Sequence, residues 1–433
     1  MIKTQKSPLR EKTFKIMDIT ANHFAQERQR FLDKCTQCGL CSEVCPVLPH
    51  TDIAAEPPEE IQENVYRFIK EGTENQQAYI KAFACVECFK CTNDTCPEGL
   101  DPMLINEIVK KEYFFRGLVE KAEFGDQQEP ESTHRVLAGV QVSASDYKRI
   151  TQPGNKQRAR YIFFPGCNVY FQPEKILNAL DIMDAIGDDY AFLPGLDNCC
   201  GDGSFFFGDS EKGGRQVESL VATLSAFQPE AAILWCPTCL CRFNQTISRI
   251  LDIPFRIQSF PQYLAANMDR LPLTESASGT VTLQEACKSV YTGLDKNGPR
   301  DVLKRLPGIK FNEMENRGGC CGSWALDCFP KSGRLIRENR LNEAAQTGAD
   351  LVATVCHYCS QAFAAGAQSY DLGITSYVSL VAEAMGIHRK DKFAKYAHWR
   401  DLKRILKDAD EHIADSPFAK ERVIEVLRSV FIK

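Results

Sequence analysis

Twenty cysteines in 433 residues are the side chains of this sequence most able to do chemistry, and they are not scattered. Eight lie between Cys35 and Cys96, six between Cys167 and Cys241, and six between Cys287 and Cys359. So many thiols imply either disulfide staples or coordination of a soft metal. The N-terminal MIKTQKSPLREKTFK is basic, but no apolar run follows it, so it does not read as a secretory signal. We therefore expect a reducing, cytoplasmic location in which the thiols are metal ligands. No window approaches the roughly 18 apolar residues that span a bilayer, so membrane association is expected only through a partner subunit.

Residues 35 to 46 read CTQCGLCSEVCP, a C-x2-C-x2-C-x3-C-P run, and residues 85 to 97 read CVECFKCTNDTCP. Three thiols at successive two-residue gaps can wrap one cube of iron and sulfide, whereas zinc favours two separated pairs. Zinc in every block, with no redox role, is the competing reading. Both runs resemble bacterial ferredoxin, and the resemblance implies that the fourth cysteine of each serves the other cluster. Cys35, Cys38, Cys41 and Cys96 would then hold one cubane [4Fe-4S] cluster, and Cys85, Cys88, Cys91 and Cys45 the other. The second run departs from the pattern, with four residues between Cys91 and Cys96, an extra residue that should be tolerated because the fourth cysteine serves the other cluster. Two such clusters are one-electron stations, and this block alone indicates electron transfer.

The second and third blocks are a duplication. Cys167 to Cys287 is 120 residues, Cys199 to Cys320 is 121, and both Cys236 to Cys356 and Cys239 to Cys359 are 120. Each repeat therefore presents five thiols: Cys167, Cys199, Cys200, Cys236 and Cys239, then Cys287, Cys320, Cys321, Cys356 and Cys359. Five exceed what a cubane takes, and adjacent side chains diverge toward different irons, so the pattern points to a bridging thiolate or an opened cluster. Gly201 and Gly322 would let the backbone pass close to the sulfurs. Cys241 and Cys328 lack counterparts and read as ordinary buried thiols.

Elements able to position these thiols are visible around them. YIFFPGC reads as a strand delivering Cys167 at its C-terminal tip, followed by the helical spacing of PEKILNALDIMDAIG; AAILWCPTC and ADLVATVCHYC repeat the theme. The expected fold is α/β. A helical ferredoxin-like domain with two [4Fe-4S] cubanes (1–120) precedes a linker (121–157), two pseudo-symmetric α/β repeats (158–272 and 273–386) and a basic C-terminal helical extension (387–433). Ligands of such parallel sheets bind beyond the carboxyl ends of the strands. The extension has eight Lys or Arg against two Asp between Arg389 and Lys407, with an apolar stripe of Phe393, Tyr396, Ala397, Trp399, Leu402, Ile405 and Leu406. It reads either as a helix that seats the chain on a partner or as one packed on its own domain.

Over residues 25 to 386 the sequence resembles heterodisulfide reductase catalytic subunits in which the two-cubane subunit is fused ahead of the duplicated cysteine-rich, or CCG, subunit. The resemblance implies a non-cubane [4Fe-4S] cluster on each five-cysteine set and reduction of a disulfide, or the reverse thiol oxidation, with electrons arriving from the cubanes. Two departures bear on the substrate: LQEAC precedes the site where many relatives carry histidine and aspartate-proline, and CHYC replaces a proline-containing turn. His357 is a candidate proton donor, with a hydrogen-bonded loop histidine as the plain alternative. CCG chains also occur as relays between a glycolate oxidase or glycerol-3-phosphate dehydrogenase flavoprotein, or a membrane redox complex, and quinone. No G-x-G-x-x-G follows a strand, so no flavin or nucleotide is expected in this chain, and a flavoprotein, hydrogenase or membrane cytochrome would exchange electrons with it. A formal charge of -5, with 44% hydrophobic and 25% charged residues, gives no reason to expect nucleic acid.

Overall fold

The computed structural model describes residues 8–93, 95–119, 126–277, 279–323, 326–364 and 366–432. The chain forms two compact units: residues 1–125 with 199–223 and 242–254, and residues 126–198 with 224–241 and 255–433.

The first unit is helical. Helices Pro8–Lys34, Pro58–Glu71, Gln76–Phe83 and Pro102–Phe115 surround the two ferredoxin-like runs. Their ends follow from local sequence. Pro58 and Pro102 occupy first-turn positions where a missing N–H costs nothing. Asn75 accepts from the amides of Gln77 and Ala78, and Asp101 from that of Leu104. Gly72, at φ 74°, ends Pro58–Glu71 with its amide on the Phe68 carbonyl. Ile61, Val65, Phe68 and Ile69 form the buried stripe of that helix, and Phe68 stacks on Tyr113 at 4.6 Å between ring centres.

The second unit holds two four-stranded parallel sheets. One contains β1 (Tyr161–Phe164), β2 (Tyr190–Phe192), β3 (Ala231–Leu234) and β4 (Arg256–Ser259), in the order β2-β1-β3-β4. The other contains β5 (Gly279–Gln284), β6 (Ile309–Phe311), β7 (Leu351–Thr354) and β8 (Gly373–Ser376), in the order β6-β5-β7-β8. The identical order is the three-dimensional form of the 120-residue offset, and the α/β class is as the sequence predicts. Phe163, Ile233, Val281, Leu283, Ala353 and Val355 belong to one continuous core shared by both sheets. Each large aliphatic or aromatic side chain fully buried there contributes about 1.5–3 kcal/mol.

Two findings modify the sequence reading. The stretch read as a linker contains helices Thr133–Gly139 and Ala144–Thr151, capped by the Ser132 and Ser143 hydroxyls; its residues 121–125 lie outside the described part. Val136, Leu137 and Val140 are buried against Phe393, Tyr396, Ile405, Val423 and Phe431. Partners some 250 residues away leave no periodicity in a seven-residue helix. The C-terminal extension is three helices, Lys392–Trp399, Leu402–Asp415 and Lys420–Phe431, whose apolar stripe is used up in this same cluster. Three of its cations are engaged at home: Lys395 pairs with Asp408 at 2.5 Å, Arg389 with Asp181 at 2.6 Å, and Arg404 lies 3.9 Å from the Trp399 ring centre.

Candidate iron-sulfur sites

In the first unit the thiols fall into two groups. Cys35, Cys38, Cys41 and Cys96 line one pocket whose walls include Phe31, Leu40, Gln62, Leu100 and Ile105. Cys91 lies in electrostatic reach of Cys85 and Cys45, and Cys45 of Cys85. Thus Cys96 stands with the first run and Cys45 with the second. Both runs bend in the same way: Gln37 and Gly39 have φ of 59° and 77°, and Glu87 and Phe89, fifty positions on, have 53° and 67°. These left-handed turns wind three thiols about one centre. Gly39 is obligatory, because a Cβ there would stand 2.3 Å from the Glu59 nitrogen.

The electrostatics differ between the groups. Lys81, only 5% exposed, donates from Nζ to Cys41 Sγ at 3.0 Å and to Ser42 Oγ at 2.8 Å, and it also bonds Gln62. Gln62 Nε2 reaches Cys35 Sγ at 3.6 Å. Beside the second group, Glu87 and Lys110 pair at 3.6 Å, and Arg242 pairs with Glu107 at 2.7 Å, Asp202 at 2.9 Å and Glu87 at 3.5 Å, all buried. Burial pushes the Cys85, Cys45 and Cys91 thiols up, and Glu107 likewise. Metal binding must therefore displace protons from these sulfurs.

In the second repeat all five thiols meet. β5 leads to Cys287 at the start of helix Cys287–Thr292, β7 leads to Cys356, and Cys320-Cys321-Gly322 arrives on the loop before helix Pro330–Gln346. Cys287 and Cys320 are hydrogen-bonding neighbours, as are Cys320 and Cys321, Cys321 and Cys359, and Cys359 and Cys356. Flanked by Cys320 and Cys359, with Ser323 and Arg337 nearby, Cys321 is held well below the ordinary thiol range. Cys320 and Cys359 are pushed up in consequence. Gly322, at φ 62°, donates its amide to Cys320 Sγ at 3.4 Å, and Arg337 Nη2 fixes the Gly322 carbonyl at 2.7 Å.

In the first repeat, Cys167, Cys236 and Cys239 gather in the second unit. A Cβ on Gly166 would stand 2.7 Å from Cys236 Cβ and 3.4 Å from Cys239 Sγ. Cys199 and Cys200 belong to the first unit, where Gly201, at φ 78°, donates its amide to Cys199 Sγ at 3.3 Å in the same turn as its counterpart. Among the described residues no three His, Cys, Asp or Glu side chains are placed to hold a single metal ion. The groups suit a larger inorganic centre: soft donors, apolar walls, and N–H donors aimed at sulfur.

His357 is 3% exposed, with its ring edge-on to Trp235 at 4.7 Å; burial and the Lys175 ammonium push it down to about 3. Cys241 is 1% exposed, 3.8 Å from Thr292 Oγ1, as a buried thiol should be. Cys328, by contrast, is exposed; it follows a loop rather than a strand, a placement that cysteine counting does not register. Lys81, Gln62 and Arg337 carry no motif, and only tertiary structure brings them to the sulfurs.

These arrangements define a class. The 4Fe-4S dicluster domain family matches residues 31–100, and the cysteine-rich domain family matches residues 161–244 and again 281–364. The chain thus carries a 4Fe-4S dicluster domain ahead of a duplicated cysteine-rich domain, a combination consistent with a heterodisulfide reductase-like iron-sulfur oxidoreductase. It is similar to a dihydromethanophenazine:CoB--CoM heterodisulfide reductase chain of Methanosarcina mazei, at 24% identity over 83% of this chain and 95% of that protein. It is also similar to a fumarate reductase (CoM/CoB) chain of Methanothermobacter marburgensis, at 22% over 75% and 66% of the two chains. A probable glycolate oxidase iron-sulfur subunit of Bacillus subtilis shares 24% over 69% and 68%. No described helix is long and apolar enough to cross a membrane.

Proposed function

We propose that this chain accepts electrons singly on two cubane clusters, one held by Cys35, Cys38, Cys41 and Cys96 and one by Cys85, Cys88, Cys91 and Cys45. They pass to non-cubane clusters on the two five-cysteine sets, where a disulfide takes up two electrons and two protons to become two thiols, or the reverse. The observation that carries this reading is the unbroken run of five thiols in the second repeat, one more than a cubane needs.

When bound, the clusters would supply one-electron transfer and thiophilic iron. The chain's own residues set the frame. Cys321 is ready as a thiolate between two thiol donors, Gly322 lets helix Pro330–Gln346 approach the loop, and Lys81 and Gln62 direct N–H groups at the Cys41 and Cys35 sulfurs. His357 packs edge-on to Trp235 within the Cys356 to Cys359 motif.

Similarity to a heterodisulfide reductase chain supports disulfide chemistry and a multi-subunit assembly with a redox partner. Similarity to a glycolate oxidase iron-sulfur subunit supports a second reading, in which the chain relays electrons from a flavoprotein, or a membrane redox complex, toward quinone. Iron and acid-labile sulfide in anaerobically purified protein test the first reading: about sixteen irons fit four four-iron clusters, and about eight would leave the repeats empty. A viologen-driven assay with candidate disulfides then separates catalyst from relay. No turnover with any disulfide, beside fast cubane oxidation by quinone, selects the relay.

A further inference from the structure

The two cubane sites are matched in thiols but not in charge. At the Cys35-Cys38-Cys41-Cys96 site the buried Lys81 ammonium donates directly to a sulfur at 3.0 Å, and among the described residues no carboxylate pairs with it. Its other contacts are the neutral Ser42 and Gln62, and Gln62 hands a second N–H to Cys35. At the other site Lys110 is answered by Glu87 at 3.6 Å and Arg242 faces Glu107 and Asp202 as well, while Lys81 acts on Cys45 and Cys91 only through space. Lys110 and Arg242 are thus each opposed by carboxylates, and the direct Lys81 contact is to the first site alone. In a low-dielectric interior an unopposed positive charge in contact with a ligand sulfur stabilises the more negative, reduced form of a cluster, and N–H···S bonds act in the same direction.

We propose that Lys81, oriented by Gln62 and Ser42, is a positioning residue that makes the Cys35-Cys38-Cys41-Cys96 cluster the more readily reduced of the two cubanes, so that an electron rests there before moving on. This rests on the cluster assignment above. It goes further by ranking the two stations and naming the side chain that ranks them.

The test is a dye-mediated redox titration of the full-length protein, with the two cubane signals followed by EPR. In Lys81→Gln at unchanged iron content, the midpoint of one cubane falls by at least a tenfold change in its equilibrium constant, 59 mV for one electron, while the second moves by clearly less; Lys81→Arg restores most of the shift. Gln62→Glu leaves Lys81 in place but sets a carboxylate against it, and it lowers the same midpoint without opening a cavity. Loss of iron from Lys81→Gln therefore leaves Gln62→Glu to decide. Unmoved midpoints in an iron-replete variant, or equal shifts of both signals, overturn the ranking. Wild-type protein without two cubane signals defeats the underlying assignment instead, and the two failures are told apart before any variant is made.

Discussion

The carbonyl oxygen of Gly333 lies 2.1 Å from the point that a Cβ on Gly322 would occupy, and the carbonyl of Gly213 stands in the same relation to Gly201 at 2.5 Å. Both Gly322 and Gly201 also have left-handed φ. A side chain at either position must therefore push a helix away from the paired cysteines. Gly322→Ala carries about 1–2 kcal/mol of backbone strain before any clash is counted. We expect a lower thermal midpoint and loss of about four irons, measured by calorimetry and iron assay. An unchanged iron count would detach the glycine from the site.

Arg242 is the hub of the buried charge cluster in the helical unit, facing Glu107, Asp202 and Glu87. Replacing it with Met strands carboxylates out of water and should destabilise the protein by about 3–5 kcal/mol. Arg242→Lys should recover little, because one ammonium cannot fork between two carboxylates. Denaturant midpoints of the two variants check both statements.

His134 sits edge-on to Phe171 at 4.7 Å between ring centres, and burial pushes it down to about 4 from 6.5. The unfolded chain takes up a proton below pH 6.5 that the native chain refuses until about pH 4. Stability should thus be flat above pH 6.5 and fall through that window as acid is added, with a share of about 2 kcal/mol from this residue after allowing for its partial exposure. His134→Phe should shallow the acid limb of the unfolding profile; an identical slope would count against a neutral native imidazole.

Cys328 is exposed and has no counterpart in the other repeat, whereas Cys359 is buried next to Cys321 and Cys356. Cys328→Ser should leave iron content and the EPR spectrum as they are. Cys359→Ser should remove or recast one cluster signal. Equal losses from both substitutions would mean that the five-thiol set is wrongly drawn.

Removing residues 388–433 uncovers Val136, Leu137 and Val140 and deletes their partners Phe393, Tyr396, Ile405 and Val423. The expected result is a less stable, aggregation-prone chain rather than a sound one that merely fails to assemble. Light scattering and melting of the truncated protein decide between them.

Much of this is legible in the sequence because covalent spacing fixes cysteine chemistry. The two tight runs, the vicinal pairs and the 120-residue offset mark the sulfurs, and short apolar runs before Cys167, Cys236 and Cys356 mark strands. What stays hidden depends on distant pairing. The Thr133–Gly139 helix is too short for its apolar period to register, and its burial comes from the far C-terminus. Lys81 looks like any helical lysine until its ammonium is found against Cys41. His357 stands inside a ligand motif, yet its ring is sealed under Trp235.

The helical unit is not one uninterrupted length of chain: residues 199–223 and 242–254 complete it, bringing Asp202 and Arg242 to Glu87 and Glu107. A gene fragment stopping at residue 125 would thus encode acidic side chains without the guanidinium that answers them. Whatever its ancestry, this ferredoxin-like portion can no longer be lifted out and reused by itself, and any swap between relatives must carry the later insertions along.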